Sequence, residues 1–319
     1  MANVGVDFGF FGDRLNGTLE YFNRQNDDML FYVSMPPSSG YGSLRMPMNV
    51  GKVQNQGVEF DVEAVLVSTK NIEWSVYGNI TYVDGKVLRL PESYLKDDGT
   101  RWYAGSSYIL KEGGSLHQAY MPEYAGVDAE TGKALYYLDP ADHSKGTTAT
   151  YSQDLAGDLG DISVKCYGGF GTSLNLYGVD LGVQFAYQFG GKAYDGTYQE
   201  MMHAGDKLGH IWSVDILNAW TPENTETDVP RLCASDSYDQ QTSSRWLVSS
   251  NYLSLNNVTV GYTLPSKWTN KIGVAKARVY FQGDNLALFS ARQGYDPRQI
   301  QNALSYGVGI STSTGNFVY

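Results

Sequence analysis

Residues 167–189 read YGGFGTSLNLYGVDLGVQFAYQF, and their pattern decides the fold. From Tyr177 onward, Tyr177, Val179, Leu181, Val183, Phe185, Tyr187 and Phe189 alternate with Gly178, Asp180, Gly182, Gln184, Ala186 and Gln188. Successive side chains of a strand point to opposite faces, so a period of two predicts a β-strand with one apolar face. The preceding half repeats it, with Phe170, Thr172, Leu174 and Leu176 set against Gly171, Ser173 and Asn175. The halves meet near Tyr177-Gly178, which leaves room only for a tight turn. Each arm is about twice the ~5–6 residues usual in a globular strand, and reaches the ~9–11 that cross a bilayer when tilted. The small and polar face would then look into a lumen.

The same hairpin recurs outward from this one. Val4, Val6, Phe8 and Phe10 predict a first strand, and Leu15, Gly17, Leu19 and Tyr21 a second. A long connection is expected from Gln25 to Gln56, because Pro36-Pro37 and Gly40-Tyr41-Gly42 cannot continue a ladder. Val58, Phe60, Val62, Ala64 and Leu66 mark a third strand, with Glu59, Asp61 and Glu63 on its other face. Ile72 to Tyr82 is the fourth. A very long connection follows from Asp84 to about Asp161, with a small hairpin expected around Glu130-Thr131-Gly132. Beyond Phe189 lies another, from Gly190 to about Ser250, where Met201, Leu208, Trp212, Ile216 and Trp220 recur at near-helical spacing. A strand over Tyr252 to Leu264 shifts phase at Asn256-Asn257, which predicts a bulge. The last clear strand is Lys276 to Leu288. Short and long connections alternate, so every long one emerges at the same end. Outer-membrane barrels share that asymmetry.

Composition agrees and excludes some functions. The chain has 319 residues, with 25 tyrosines, 36 glycines and only 10 prolines, as expected for many strands joined by turns. A net charge of −11 argues against nucleic acid, which needs a basic surface. Cys166 and Cys233 have no metal-ligand spacing and are too few for a disulfide scaffold. No apolar run approaches the ~18 residues of a membrane helix, so any crossing must be by strands. The N-terminus has no basic region followed by an apolar core, so no signal peptide is expected in this stretch; an exported chain of this kind is mature or a fragment.

Site chemistry is sparse. His117, His143, His203 and His210 fall in predicted loops without zinc spacing, and Asp128 to Gly132 lacks the acidic spacing of an EF-hand. No nucleophile elbow or phosphate-cradling loop is present, so no catalytic, cofactor or metal residues are expected. Glu59, Asp61 and Glu63, with Asp180, Gln184 and Gln188, are the lumen-facing candidates. The acidic row is either a solvated face or a contact for a plug or a passing solute. Trp102, Tyr103, Trp212 and Trp220 are loop aromatics that either stack on sugar rings or pack within the loops.

Several strings carry a family resemblance. They are Asn23-Arg24 with Asp28-Met29-Leu30, Met48-Asn49-Val50-Gly51 with Asn55-Gln56-Gly57-Val58-Glu59, and Tyr252-Leu253 through Val258-Thr259-Val260-Gly261-Tyr262-Thr263-Leu264-Pro265. Gly283-Asp284-Asn285-Leu286 and Gly294-Tyr295-Asp296-Pro297-Arg298 complete the set. In this order they resemble the SusC/RagA-type TonB-linked outer-membrane proteins, over nearly the whole chain. The resemblance implies an all-β fold, with residues 1–319 forming a C-terminal segment of a large antiparallel transmembrane barrel of about eight strands with long extracellular loops. It places the plug domain and the TonB-engaging segment N-terminal to residue 1, and a closing strand after Tyr319. It implies outer-membrane import of an oligosaccharide or peptide in a Gram-negative bacterium, driven through TonB, with a SusD-like surface lipoprotein as lid. From the residues alone, a secreted soluble β-protein that binds carbohydrate remains the alternative, and a barrel-borne enzyme a third.

Overall fold

The computed structural model describes residues 1–34, 45–105, 107–207, 209–236, 240–292 and 294–298. Eight long strands form one antiparallel sheet: β1 (Ala2–Phe10), β2 (Leu15–Ser34), β3 (Arg45–Ser68), β4 (Ile72–Arg89), β5 (Cys166–Leu176), β6 (Val179–Phe189), β7 (Tyr252–Thr263) and β8 (Arg278–Ser290). They pair in chain order, so the sheet is an up-and-down meander. Among the described residues β1 and β8 each have one unpaired edge, and the sheet does not close. No described helix is long and apolar enough to cross a membrane.

The hairpin at residues 167–189 forms as its alternation predicts. Leu176 pairs with Val179, and Tyr177 and Gly178 turn the chain with φ of 50° and 88°. Two positive φ values in succession give the turn that matches the twist of the flanking strands. Across this hairpin Phe170 stacks on Phe185 at 4.9 Å. The bulge in β7 is also present. Gln184 faces Asn257 and Phe185 faces Leu255, leaving Asn256 as the extra residue. That one insertion keeps Leu253 and Leu255 on the same face as Val258 and Val260.

The register builds two unlike faces. One carries the apolar members of every strand, and these stay exposed: Val6 at 61%, Phe170 at 43%, Val260 at 43% and Phe281 at 72%. A soluble sheet would cover such a face, because each large apolar side chain gains roughly 1.5–3 kcal/mol on leaving water. The buried clusters lie elsewhere, at the long-loop end. The second face is polar. Its glycines leave room for rings from the neighbouring strand, as where Tyr77 lies over Gly171. At Gly57 a Cβ would collide with the Tyr82 carbonyl oxygen and the Phe22 ring. Gly57→Val is therefore expected to cost about 1–3 kcal/mol and to lower the heat-resistant fraction of the full-length protein on gels.

Three expectations are corrected. The stretch Gln25 to Gln56 is not one long connection. Gln25–Asn26 and Met29–Ser34 pair with Arg45–Met48, Asn49, Gly51, Val53 and Gln54, so β2 and β3 rise far above the other strands. Pro47 opposes Tyr32 inside this ladder, while Pro36-Pro37 and Gly40-Tyr41-Gly42 lie outside the described residues. β4 likewise runs to Arg89, beyond the expected start of the loop at Asp84. Finally, the apolar series from Met201 to Trp220 is not one helix. An α-helix covers only Gly196–Met201 and a 3₁₀ turn covers Val214–Asn218. Leu208 lies outside the described residues.

Candidate functional site

The long connections from 90 to 165 and from 190 to 251 fold together into a cap with its own core. In the first, 118–122 pairs with 156–161, and a three-stranded sheet joins 124–127, 134–137 and 147–148. The small hairpin expected around Glu130-Thr131-Gly132 is part of it, and its turn is closed by Asp128, which accepts from the Glu130 N–H at 3.0 Å and the Thr131 hydroxyl at 2.6 Å. In the second connection 192–194 pairs with 247–249. Ala119, Met121 and Ile162 from the first pack with Tyr194, Met202, Ile216, Ala219, Val229 and Trp246 from the second. Trp246 is fully buried and donates its indole N–H to the Gln241 carbonyl at 3.0 Å. A third segment, after β8, is tied in by a buried ion pair between Arg292 and Asp195. The same guanidinium lies over the Tyr198 ring at 4.4 Å. Burial, helped by the Asp215 carboxylate that accepts from its hydroxyl at 2.8 Å, pushes the Tyr198 phenol up to about 12. Burial, with a smaller contribution from Tyr151, raises Tyr194 likewise, to about 12. These rings are neutral structural members of the cap at any physiological pH.

Glu59, Asp61, Glu63, Asp180, Gln184 and Gln188 all lie on the polar face. Glu59 opposes Glu20, Asp61 opposes Thr18 and Glu63 opposes Asn16, and the three acidic side chains are exposed. Two carboxylates directly across a ladder repel, which is tolerable only where water or a basic partner screens them. Asp180 is engaged: Arg278 reaches over Gly261 and donates from Nε to its Oδ1 at 3.0 Å. Gln188 is buried under the cap and donates to the Ser250 carbonyl at 3.1 Å and its hydroxyl at 3.2 Å.

The loop aromatics are less available than their sequence positions imply. Tyr103 sits between Tyr94, at 5.1 Å, and Tyr108, at 6.1 Å. Trp102 takes the Lys96 ammonium over its ring at 4.3 Å. Trp220 packs over Gly132 and donates to the Ala129 carbonyl at 3.1 Å. Only Trp212 of the four is exposed, and one of its faces stacks on His203 at 5.0 Å. Among the described residues no group of histidines, cysteines and carboxylates could hold a metal.

Between the wall and the cap lies a cavity of about 430 Å³. The wall contributes Asn55, Gly85, Tyr167 and Gln188, and the cap Ser115, His117, Ser163, Lys192 and Ser250. Burial holds the His117 imidazole below its usual range, and the Asp161 charge opposes this only in part. Apart from Gln188, none of these residues was a sequence candidate. They come from separate strands and loops, and no periodicity links them.

The comparisons with known proteins agree with this geometry. The family model described as TonB dependent receptor-like, beta-barrel matches residues 2–296. TonB-dependent receptor P3 of Formosa agariphila is 27% identical over 315 residues, covering 92% of this chain and 30% of the relative. TonB-dependent receptor SusC of Bacteroides thetaiotaomicron is 24% identical over 311 residues, covering 92% of this chain and 29% of the relative. Among solved structures, the RagAB peptide transporter superposes with a TM-score of 0.80 at 28% identity, covering 97% of this chain and 33% of the other. The chain thus spans about a third of the length of the proteins it matches. Its meander of long strands, apolar outer belt and one-sided loops, together with the family match over nearly all of its length, make this chain a member of the TonB-dependent receptor-like β-barrel family.

Proposed function

We propose that this chain forms part of the wall and the outer mouth of a Gram-negative outer-membrane importer for large nutrients, peptides foremost. The carrying observation is the exposed apolar belt on one face of a sheet whose other face is polar and whose folded cap sits at a single end. Lipid covers the belt, Glu59, Asp61, Glu63, Asp180, Gln184 and Gln188 face the lumen, and the cap faces the medium. TonB supplies energy through a region outside this chain, and a SusD-like surface lipoprotein closes over the mouth. The protein so read is a transporter rather than an enzyme. The same belt speaks against a secreted, soluble carbohydrate binder.

Peptide is favoured over oligosaccharide by the engagement of Trp102, Tyr103 and Trp220 within the cap, which leaves few free aromatic faces for sugar rings. The similarity to SusC keeps oligosaccharide as the second reading. Deleting the gene for the full-length protein should abolish growth on oligopeptides as sole nitrogen source and spare growth on free amino acids. Unchanged growth on oligopeptides, with growth on an oligosaccharide lost, would select the second reading.

The outer surface of the cap supplies a further expectation. Ile211, Val214 and Leu217 are 70%, 77% and 81% exposed on the loop from 190 to 251. Apolar side chains crowded so closely on a loop suit a protein contact. Replacing all three by aspartate in the full-length protein should weaken capture of the lid lipoprotein at least tenfold, through lost burial and newly buried charge. Heat-resistant migration should not change, because these side chains contribute nothing to the cap core. Normal lid capture by the triple variant would remove this surface from the interface.

A further inference from the structure

We propose that the cavity between β3–β6 and the cap is a pocket for the free carboxylate end of a peptide with an apolar last residue, and that Lys192 receives the carboxylate. This rests on the reading of the chain as part of a peptide importer.

The charge of the cavity is the first support. The chain has 34 acidic residues, and the polar wall face carries Glu20, Glu59, Asp61 and Glu63 further along β2 and β3. Yet among the described residues no aspartate or glutamate lines this cavity, and Lys192 is its one formally charged residue. His117, held low by burial, is uncharged at neutral pH. Lys192 makes no ion pair or side-chain hydrogen bond with any described residue. Three other cap lysines are paired, Lys111 with Asp158, Lys145 with Asp139, and Lys165 with Asp84 and Asp161, whereas Lys192 shares its lack of an ion pair with Lys96, which lies over the Trp102 ring. Lys192 also borders a second cavity lined by Glu123 and Asp158, and both of these carboxylates are engaged by other groups. Asp158 accepts from Gln118 at 2.7 Å in addition to Lys111, and Glu123 meets His143 at 2.9 Å. An unpaired ammonium in an acidic protein leaves room for an incoming anion.

The remaining lining narrows the ligand. Leu116, Ile162, Val164 and Ala193 make an apolar wall, and the volume of about 430 Å³ lies within the ~300–1,000 Å³ of small-ligand sites. The neutral polar groups are fixed before a ligand arrives. Gln188 and Ser250 are both buried and joined by hydrogen bonds, and the Ser115 and Ser163 hydroxyls lie 3.1 Å apart. Such groups suit the amide of a last peptide bond. One ammonium without a guanidinium fork suits a monovalent carboxylate better than a phosphate, which draws on more donors. Among the described lining residues Tyr167 is the only aromatic ring besides the His117 imidazole, a poor platform for a sugar.

The test uses the full-length protein with its lid in detergent. The probes are a fluorescein-labelled, alanine-rich peptide ending in leucine with a free carboxylate, and the same peptide as its C-terminal amide. The free acid should bind about fivefold more tightly, the scale of one partly screened ion pair, and added salt should shrink that gap. Lys192→Met should erase the difference between acid and amide, and Lys192→Arg should keep most of it. Leu116→Trp, which fills the cavity, should weaken both probes. Lys192 is exposed, so its variants should keep the heat-resistant migration of the parent. Equal binding of acid and amide by the parent, a difference that survives Lys192→Met, or binding of neither probe, each with peptide-dependent growth intact, overturns the pocket alone. A gene deletion that leaves growth on oligopeptides unchanged and abolishes growth on an oligosaccharide overturns the pocket together with the peptide-importer reading on which it rests.

Discussion

Arginine at position 183 is expected to abolish assembly of the full-length barrel, while arginine at position 184 is tolerated. Val183 lies midway along β6, between Thr172 of β5 and Val258 of β7, on the apolar face. Its neighbours on that face, among them Phe185 and Leu181, offer no counter-charge. Arginine there would hold a guanidinium at mid-depth in hydrocarbon, which costs about 2–4 kcal/mol in outer-membrane barrels. A second substitution, Leu181→Arg, should roughly double the deficit. Gln184 points to the opposite, polar face, where the new cation would find water and carboxylates. The measurement is heat-resistant migration of the protein extracted from outer membranes, with membrane yield beside it. Normal assembly of Val183→Arg together with failure of Gln184→Arg would invert the assignment of faces and sink the membrane reading of the belt.

Trp246→Ala should collapse the cap and leave the wall intact. Trp246 is the largest fully buried side chain, packed among Met121, Met202 and Ile216 from both long loops. The Tyr198 ring meets it edge-on at 6.0 Å, and the Arg245 guanidinium lies over it at 4.6 Å. Truncating a buried tryptophan costs about 3–5 kcal/mol, and an assembly of loops with one main core has little stability to spare. The sheet does not depend on this residue, because its ladders and exposed apolar side chains lie outside the cap core. Limited proteolysis should therefore cut the variant within 90–165 and 190–251 while the heat-resistant band persists, and import should fail. Trp212→Ala, at an exposed ring, should change the proteolysis pattern little. An uncut cap in Trp246→Ala would mean that the loops are held by something other than their shared core.

Strand alternation was legible because a sheet with one apolar and one polar face imposes it. A side chain in hydrocarbon must be apolar and its neighbour in a watery lumen need not be, so the two faces separate in the sequence itself. This marked β1 and β5 to β7 closely, together with the start of β4, the two-residue turn at Tyr177-Gly178 and the bulge at Asn256. The ladder of Gln25–Ser34 on Arg45–Gln56 escaped the same reading for the complementary reason. Met29-Leu30-Phe31-Tyr32-Val33 and Met46-Pro47-Met48 run apolar without alternating with polar residues, so the pairing there leaves no period. The near-helical spacing of Trp212, Ile216 and Trp220 misled because it came from separate packing needs: Ile216 into the cap core, Trp212 against His203 and Trp220 onto Gly132.

By itself, then, the sequence determined the strands, their faces and the end from which the long loops leave, since those follow from local periodicity and chain order. Only the tertiary structure decided that two loops from distant parts of the chain share one core, that Arg292 closes on Asp195, and that Lys192 and His117 meet Gln188 around one cavity. Each of these depends on contacts between residues far apart in the chain. A folded loop buries whichever side chains its neighbours happen to cover, and no spacing along the chain records that pairing.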